Sequence, residues 1–340
     1  MSSEIEIVAL DQVSWPAVLR LLEAGLGPGV IERSHAFWRW KHESNPFGRS
    51  PAIAAVHEGE PVALRAFMRW RWRAGRSTVA ALRAVDTVTH PDWRRGGLFR
   101  RLTLELLSRL TGDPDEFVFN TPNRRSLPGY LGMGWQDLGR IALHVRPRKP
   151  LRIVRRAIRR QLAPASNQGG PPDRGFLRPL GELFGQAGLS TFLDAWAEGD
   201  PRLRTPRDVP YLRWRYEEPP ELSYGVLWEL QGSSGAVLVA RRRWRGGLAE
   251  TLISELLVSD DRLGLAAADR LLSELCLDGG ADYFAAIAAP ATPEAGALRR
   301  ADFLRVPRLG PAVAVRPLDV SRPGPILAGF RPAVGDLEVF

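Results

Sequence analysis

In the stretch "HPDWRRGGLFRRLTLELL" (His90–Leu107) a proline turn is followed by arginines, two adjacent glycines and an apolar repeat of helical spacing. Leu98, Leu102, Leu106 and Leu110 fall on one face at that spacing and predict a helix that begins at about Gly97. The first N–H groups of such a helix have no intrahelical partner, and the aligned peptide dipoles gather partial positive charge there. Gly96 and Gly97 would let a ligand approach the backbone closely, while Arg94, Arg95, Arg100 and Arg101 add cationic character. The stretch therefore predicts a seat for a pyrophosphate at a strand-to-helix turn.

Outward from this turn, the pattern predicts an α/β (α+β) fold with a largely antiparallel sheet at its start. A short strand is expected at Ile5–Ala9 and a helix at Trp15–Ala24, then a helix over Ser34–His42 with Ser34 as its N-cap. Strands follow at Ala52–Val56, Val62–Trp72 and Ser77–Val88, with "HEGE" (His57–Glu60) as a tight hairpin turn. Beyond the helix come a strand at Glu116–Asn120, a short helix after Asn123 and a strand near Ile141–Val145.

The chain also repeats itself. "FWRWKHESNP" (Phe37–Pro46) matches "YLRWRYEEPP" (Tyr211–Pro220) at an offset of 174, and the offset survives from Arg69, Trp70 and Arg71 to Arg243, Trp244 and Arg245. "VRP" at Val145–Pro147 recurs at Val315–Pro317, an offset of 170, as loop-length differences between two copies of one fold would produce. Between the copies, "PASNQGGPPDRG" reads as a linker by composition. The expected organisation is a first domain at 1–147, a basic helix and linker at 148–189, and a second domain at 190–340. In the connecting helix, Leu151, Val154, Ile158 and Leu162 form an apolar stripe among Arg152, Arg155, Arg156, Arg159 and Arg160. Such a helix suits a membrane or RNA surface, but the favoured expectation is that the stripe packs on a domain.

A length of 340 residues is sufficient for two domains with a core each. The formal charge is +9, but arginine supplies nearly all the cations, Lys41 and Lys149 being the only lysines, so the charge reads as compositional bias. The tryptophan–arginine segments recur in both copies, which points to core packing and away from base stacking, and nucleic acid is not an expected partner. The lone Cys276 excludes an internal disulfide framework and a cysteine-based zinc site, and no metal is expected. "MSSEIEIVAL" does not resemble a signal peptide, and no apolar run approaches the roughly 20 residues of a membrane span, so a cytoplasmic protein is expected.

With these residues in view, the sequence resembles the GNAT superfamily of acyl-CoA N-acyltransferases. That family carries (Arg or Gln)-x-x-Gly-x-(Gly or Ala) between strand and helix, and here Arg94, Arg95, Gly96, Gly97, Leu98 and Phe99 stand in its place, Phe99 departing from a small residue. Downstream, "NTPNRRSLPGYLGMGWQDLG" supplies an Asn (Asn120 or Asn123), Tyr130, and Gly134 with Trp135 in the family's order. The resemblance implies an acetyl-CoA or other acyl-CoA co-substrate whose pyrophosphate sits on the Arg94–Phe99 loop. It also implies that an Asn binds the pantetheine arm and that Tyr130 protonates the departing thiolate. Main-chain N–H groups beside Val88 and Thr89 would polarise the thioester carbonyl.

For the base, Asp86 is the first candidate, because a carboxylate inside the apolar strand "AVDTV" is costly without a role or a partner. His90 and a terminal carboxylate after Phe340 rank below it, and Glu43, which recurs as Glu217, suits a structural role. In the second copy the loop becomes "LVSDDRLGLAAADRLL", where Asp260 and Asp261 would repel a pyrophosphate, and Leu298 replaces Tyr130. The leading expectation is thus a tandem GNAT protein with one working half, which moves an acyl group to a small-molecule or protein amine. The alternatives are an aminoacyl-tRNA-dependent transferase of the peptidoglycan-bridge type and a module that binds acyl-CoA without turnover.

Overall fold

The computed structural model describes residues 4–26, 34–110, 116–162, 175–198, 200–319 and 324–337. Its first half runs β1 (Glu6–Ala9), α1 (Trp15–Leu26), α2 (His35–His42), β2 (Ala52–His57), β3 (Glu60–Ala74), β4 (Ser77–Thr89), α3 (Leu98–Arg109), β5 (Phe117–Asn120), α4 (Leu127–Leu131), β6 (Gln136–Arg140), β7 (Leu143–Pro147) and α5 (Pro150–Leu162). The second half runs α6 (Leu180–Phe184), α7 (Leu189–Glu198), α8 (Val209–Leu212), β8 (Gly225–Gln231), β9 (Ser234–Arg245), β10 (Leu248–Val258), α9 (Arg262–Cys276), β11 (Tyr283–Ile287), α10 (Pro293–Arg300), β12 (Leu304–Val306), β13 (Ala312–Pro317) and α11 (Val334–Leu337). Local chemistry explains the boundaries. Ser34 caps α2 by accepting from the Phe37 N–H at 3.1 Å. Glu58 and Gly59 take φ of +51° and +82°, the geometry of the two-residue turn that joins β2 to β3.

The strands form two mixed sheets, ordered β1-β2-β3-β4-β5-β13-β6 and β12-β7-β11-β10-β9-β8. Each half therefore lends a strand to the other. β13 pairs antiparallel with β5 and β6, with Val315 opposite Phe119, and β7 pairs antiparallel with β11 and β12, with Val145 opposite Ala285. The expected split at residue 147 does not follow the sheets: the strand near Val145 belongs to the second sheet, and its repeat near Val315 completes the first. The two segments share the sequence Val-Arg-Pro and the same strand character, so the exchange replaces like with like. Most of the expected linker, residues 163–174, lies outside the described residues.

The halves meet across a shared aromatic core. Trp40 and Trp214 stack at 5.4 Å between ring centroids. The Trp40 indole donates to the Trp214 carbonyl at 2.5 Å, and the Trp214 indole donates to the Trp40 carbonyl at 2.8 Å. The backbone around each tryptophan follows the same wide turn: the N–H groups of Ser44 and Glu218 reach back five residues to the carbonyls of Arg39 and Arg213, at 2.8 and 3.0 Å. Trp70, Trp72, Tyr211 and Tyr216 are buried in the same cluster, as the core reading of the tryptophan segments expects. On the outer faces, α3 and α4 cover the first sheet and α9 and α10 the second.

Trp40→Phe and Trp214→Phe should each cost about 1–3 kcal/mol in urea unfolding, because each leaves a buried carbonyl without its donor. The double variant should cost measurably less or more than the sum, since the two rings are in contact.

Candidate functional site

In the first sheet β4 and β5 are parallel neighbours only from Ala81 to Arg83 on β4, opposite Phe117 to Phe119 on β5. Beyond that point they part. The split follows from a bulge in β4: Val85 sits opposite Ala66 and Val88 opposite Leu64, so one more residue fits on β4 than on β3. Asp86, at the bulge, has a φ of +44°, which a non-glycine residue adopts only under local constraint.

A cleft of about 650 Å³ opens where the strands separate. It runs from Gly25 at the end of α1, along Val85 to Thr89 of β4, to Arg94 and Phe99 at the head of α3, and across to Asn120, Asn123 and Tyr130. The close approach of α1 to β4 requires Gly25, whose added Cβ would lie 2.1 Å from the Val88 methyl. Arg94 donates to the Gly25 carbonyl at 2.7 Å and so ties α1 to the loop.

At the head of α3, Gly97 takes φ +75° and supplies no side-chain cap, with nothing within 4 Å of the position its Cβ would occupy. Arg95 before it also has positive φ, at +71°. The first-turn N–H groups of α3 thus receive no side-chain cap, and Arg94 and Phe99 on either side of Gly97 line the cleft. Leu98 contributes only its backbone, for its side chain is 3% exposed and lies in the core. Phe99 turns its ring inward, edge-on to Tyr130 at 5.3 Å and packed against Gly129. The departure from a small residue is accommodated at Gly129, where a Cβ would lie 2.9 Å from the Phe99 ring.

Both asparagines line the cleft, in different states. Asn123 spends its carbonyl oxygen on the N–H groups of Arg125 and Ser126, at 2.9 and 3.0 Å, as the cap of the turn into α4. Asn123 still lines the cleft, with its side-chain carbonyl engaged in this turn. Asn120 lines the cleft, 3% exposed, and its Oδ1 has no hydrogen-bond partner among the described residues.

Asp86 lines the cleft but is not a free base. Lys41 Nζ and His42 Nε2 from α2 each lie 2.7 Å from its Oδ2. Burial alone would push this carboxyl up, but the Lys41 ammonium and the His42 hydrogen bond together hold it well below the usual carboxylate range. Burial also lowers His42 and Lys41 from their ordinary values, against the pull of Asp86. A neutral His42 then donates its Nε2 proton to Asp86. His90 is a turn residue whose Nδ1 accepts from the Asp92 N–H, and it is not part of the cleft. Glu43 pairs with Arg39 and Arg49 at the surface, and Phe340 lies outside the described residues.

Sequence reasoning missed Arg65. Its guanidinium is fully buried beneath Tyr130 and Phe99, and Nη1 donates to the Tyr130 hydroxyl at 3.0 Å and to the Thr87 hydroxyl. Among the described residues it has no acidic partner, and its Nε and Nη2 have no hydrogen-bond partner. A guanidinium only donates, so the Thr87 and Tyr130 oxygens accept from it, and each keeps its own proton to donate elsewhere. The signal available in the sequence was an arginine inside the apolar strand "PVALRAFM", the same anomaly that marked Asp86.

The second half repeats this scaffold with its site filled. Asp261 caps α9 by accepting from the Gly264 N–H at 2.9 Å, so a side-chain carboxylate occupies the anion seat that Gly97 leaves open. β10 bulges between Ile253 and Glu255. Glu255 is buried against Tyr216, at 2.5 Å, and Arg207, at 2.9 Å. Tyr216 and Arg215 stand 174 residues after His42 and Lys41. Burial, opposed by Arg207, pushes the Glu255 carboxyl up to about 7.

No family model and no curated protein sequence matches the chain. Among solved structures, it is similar to a GCN5-related N-acetyltransferase from Kribbella flavida, with a TM-score of 0.55 and 16% identity over 94% of this chain and 72% of that one. A GCN5-related N-acetyltransferase from Anabaena variabilis gives a TM-score of 0.60 and 11% identity over 93% of this chain and 74% of that one. N-myristoyltransferase from Saccharomyces cerevisiae, solved with bound myristoyl-CoA, gives 0.53 and 12% over 93% and 82%. The chain has the fold of the GCN5-related N-acetyltransferases, the GNAT fold.

Asp86→Asn should destabilise the protein by about 3–5 kcal/mol in chemical denaturation, because it strands the buried Lys41 charge, and Lys41→Met in the same chain should recover most of the loss. Acidification should also destabilise the fold in a set order. His42 is lowered on folding, so its contribution is complete above its unfolded value of 6.5 and is lost as pH falls below it. Asp86 contributes above its unfolded value of 3.8 and loses that contribution below it. Stability measured at pH 7 and pH 5 should therefore differ less in His42→Gln than in the wild type.

Proposed function

We propose that this protein is an acyl-CoA-dependent N-acyltransferase, with acetyl-CoA as the donor and a primary amine as the acceptor. The observation that carries the reading is the uncapped, glycine-led head of α3 at the end of a cleft that also presents the unpartnered Asn120 oxygen and the Tyr130 and Thr87 hydroxyls. These groups fit the donor. The α3 N–H groups and the loop arginines would hold the pyrophosphate, and Asn120 would bond an amide of the pantetheine arm. From Ala84 onward β4 has no strand partner on its β5 side, which leaves main-chain N–H groups beside Val88 and Thr89 to polarise the thioester carbonyl.

The donor supplies an activated thioester carbonyl, and this chain's residues position the acceptor and handle the protons. The ionised Asp86 holds the acceptor amine by charge and hydrogen bonding. Its low proton affinity suits it to orient the amine rather than to keep a proton: the ammonium form of the acceptor gives one proton to water in the open cleft before attack, and the proton that the nitrogen loses after attack restores the Tyr130 hydroxyl. As the new C–N bond forms and the C–S bond breaks, Tyr130 gives its proton to the departing sulfur. Arg65, which donates to the Tyr130 oxygen, keeps that proton directed into the cleft and stabilises the charge left behind. Holding both reactants in one cleft supplies a further part of the acceleration.

Calorimetric titration with acetyl-CoA should give one site per chain, and Gly97→Glu should abolish binding by placing a carboxylate on the anion seat. Tyr130→Phe should keep acetyl-CoA affinity and lower kcat for thiol release with an amine acceptor by about 100-fold. An unchanged kcat would remove Tyr130 from the proton transfer, and absence of acetyl-CoA binding by the wild type would overturn the reading.

A further inference from the structure

Helix α5 is docked through Arg152 and Arg156, and the described part of its apolar stripe is exposed, opposite to the expectation that the stripe is buried. Arg152 donates to the buried Asp282 at 2.9 Å, and Arg156 Nε donates to the Gly246 carbonyl at 2.8 Å. Leu151, Val154 and Ile158 point outward, 80%, 55% and 56% exposed. At helical spacing the three fall within a sector of about 60°, and Arg155 lies about 40° from Leu151 at its border. Arg155, exposed, forms no ion pair among the described residues. Beside the stripe is a depression of about 690 Å³ lined by Lys149, Arg152, Arg155 and Arg156.

A connecting helix has no reason to face its apolar side to water, where burial would be favourable. Three occupants would cover it. RNA would draw the arginines outward, yet two of them are tied to protein groups, and an aliphatic stripe offers nothing to a phosphate backbone. A second copy in a two-fold dimer would set the same basic border against itself, bringing like charges together. A bilayer with anionic lipid satisfies both parts at once, taking the aliphatic side chains into the acyl boundary and phosphate headgroups into the basic depression. We propose that α5 is an in-plane docking helix that holds this protein on an anionic membrane surface. The inference stands independently of the acyl-transfer reading.

The test is co-sedimentation of the full chain with phosphatidylcholine vesicles, with and without phosphatidylglycerol, at about 0.15 M salt. Binding should require the anionic lipid and weaken at about 1 M salt, where the screening length falls to about 3 Å. Arg155→Ala should weaken binding about fivefold. Val154→Asp combined with Ile158→Asp, both at exposed sites that leave the fold intact, should lower it more than tenfold. The proposal is overturned if the wild type ignores anionic vesicles or if the double aspartate variant binds as well as the wild type. It is also overturned if transfer RNA is retained in preference to vesicles, or if size-exclusion chromatography finds a dimer that the double variant dissociates.

Discussion

The reciprocal pair formed by Trp40 and Trp214 holds the two halves in register. Each indole donates to the other's backbone carbonyl, and each ring covers the other. A contact of this kind, in which one residue meets its own repeat, is the intramolecular form of the self-complementary interface found in two-fold dimers. It places α2 and its repeat back to back, and the strand exchange follows the same logic, with β7 and β13 crossing to equivalent places in opposite sheets. Neither half is closed without the other, so the cleft of the first half rests on a strand and an aromatic core that the second half supplies.

On that scaffold the two sites have diverged by small changes of charge and size. Gly97 leaves the head of α3 open, whereas Asp261 closes the head of α9 with its own carboxylate. At the bulges, Asp86 stays ionised beside Lys41 and His42 and faces a cleft, whereas Glu255 is sealed among Tyr216, Arg207 and Asp336. Glu255 shares Arg207 with a second carboxylate, Asp336, and all three are buried. Under the proposed function, this asymmetry would leave ligand binding to the first half and support to the second.

How much of this was legible in the sequence depended on how local each determinant is. The helix α3, its glycine-led entry and the strands on either side are written in spacing and turn residues, and they lie where the pattern puts them. The repeat was legible from Trp40 and Trp214, but the strand exchange was not, because Val145–Pro147 and Val315–Pro317 carry the same sequence and either would fit either sheet. The burial cost of Asp86 was visible, while its partners were not, since Lys41 and His42 reach it from a separate helix. Their backbone position opposite the bulge is a tertiary fact. The amphipathic character of α5 was equally plain, yet spacing defines two faces without saying which one docks, and the buried Asp282 holds Arg152 on the docked side.

The central claim is that one anion seat is open and its repeat is closed. Hydrogen exchange read by mass spectrometry, with and without acetyl-CoA, tests it directly. The account predicts new protection in peptides that span Arg94–Arg101 and Ala84–Thr89, with none across Ser259–Ala267 at the head of α9. Protection at the head of α9, or at neither helix, would contradict it.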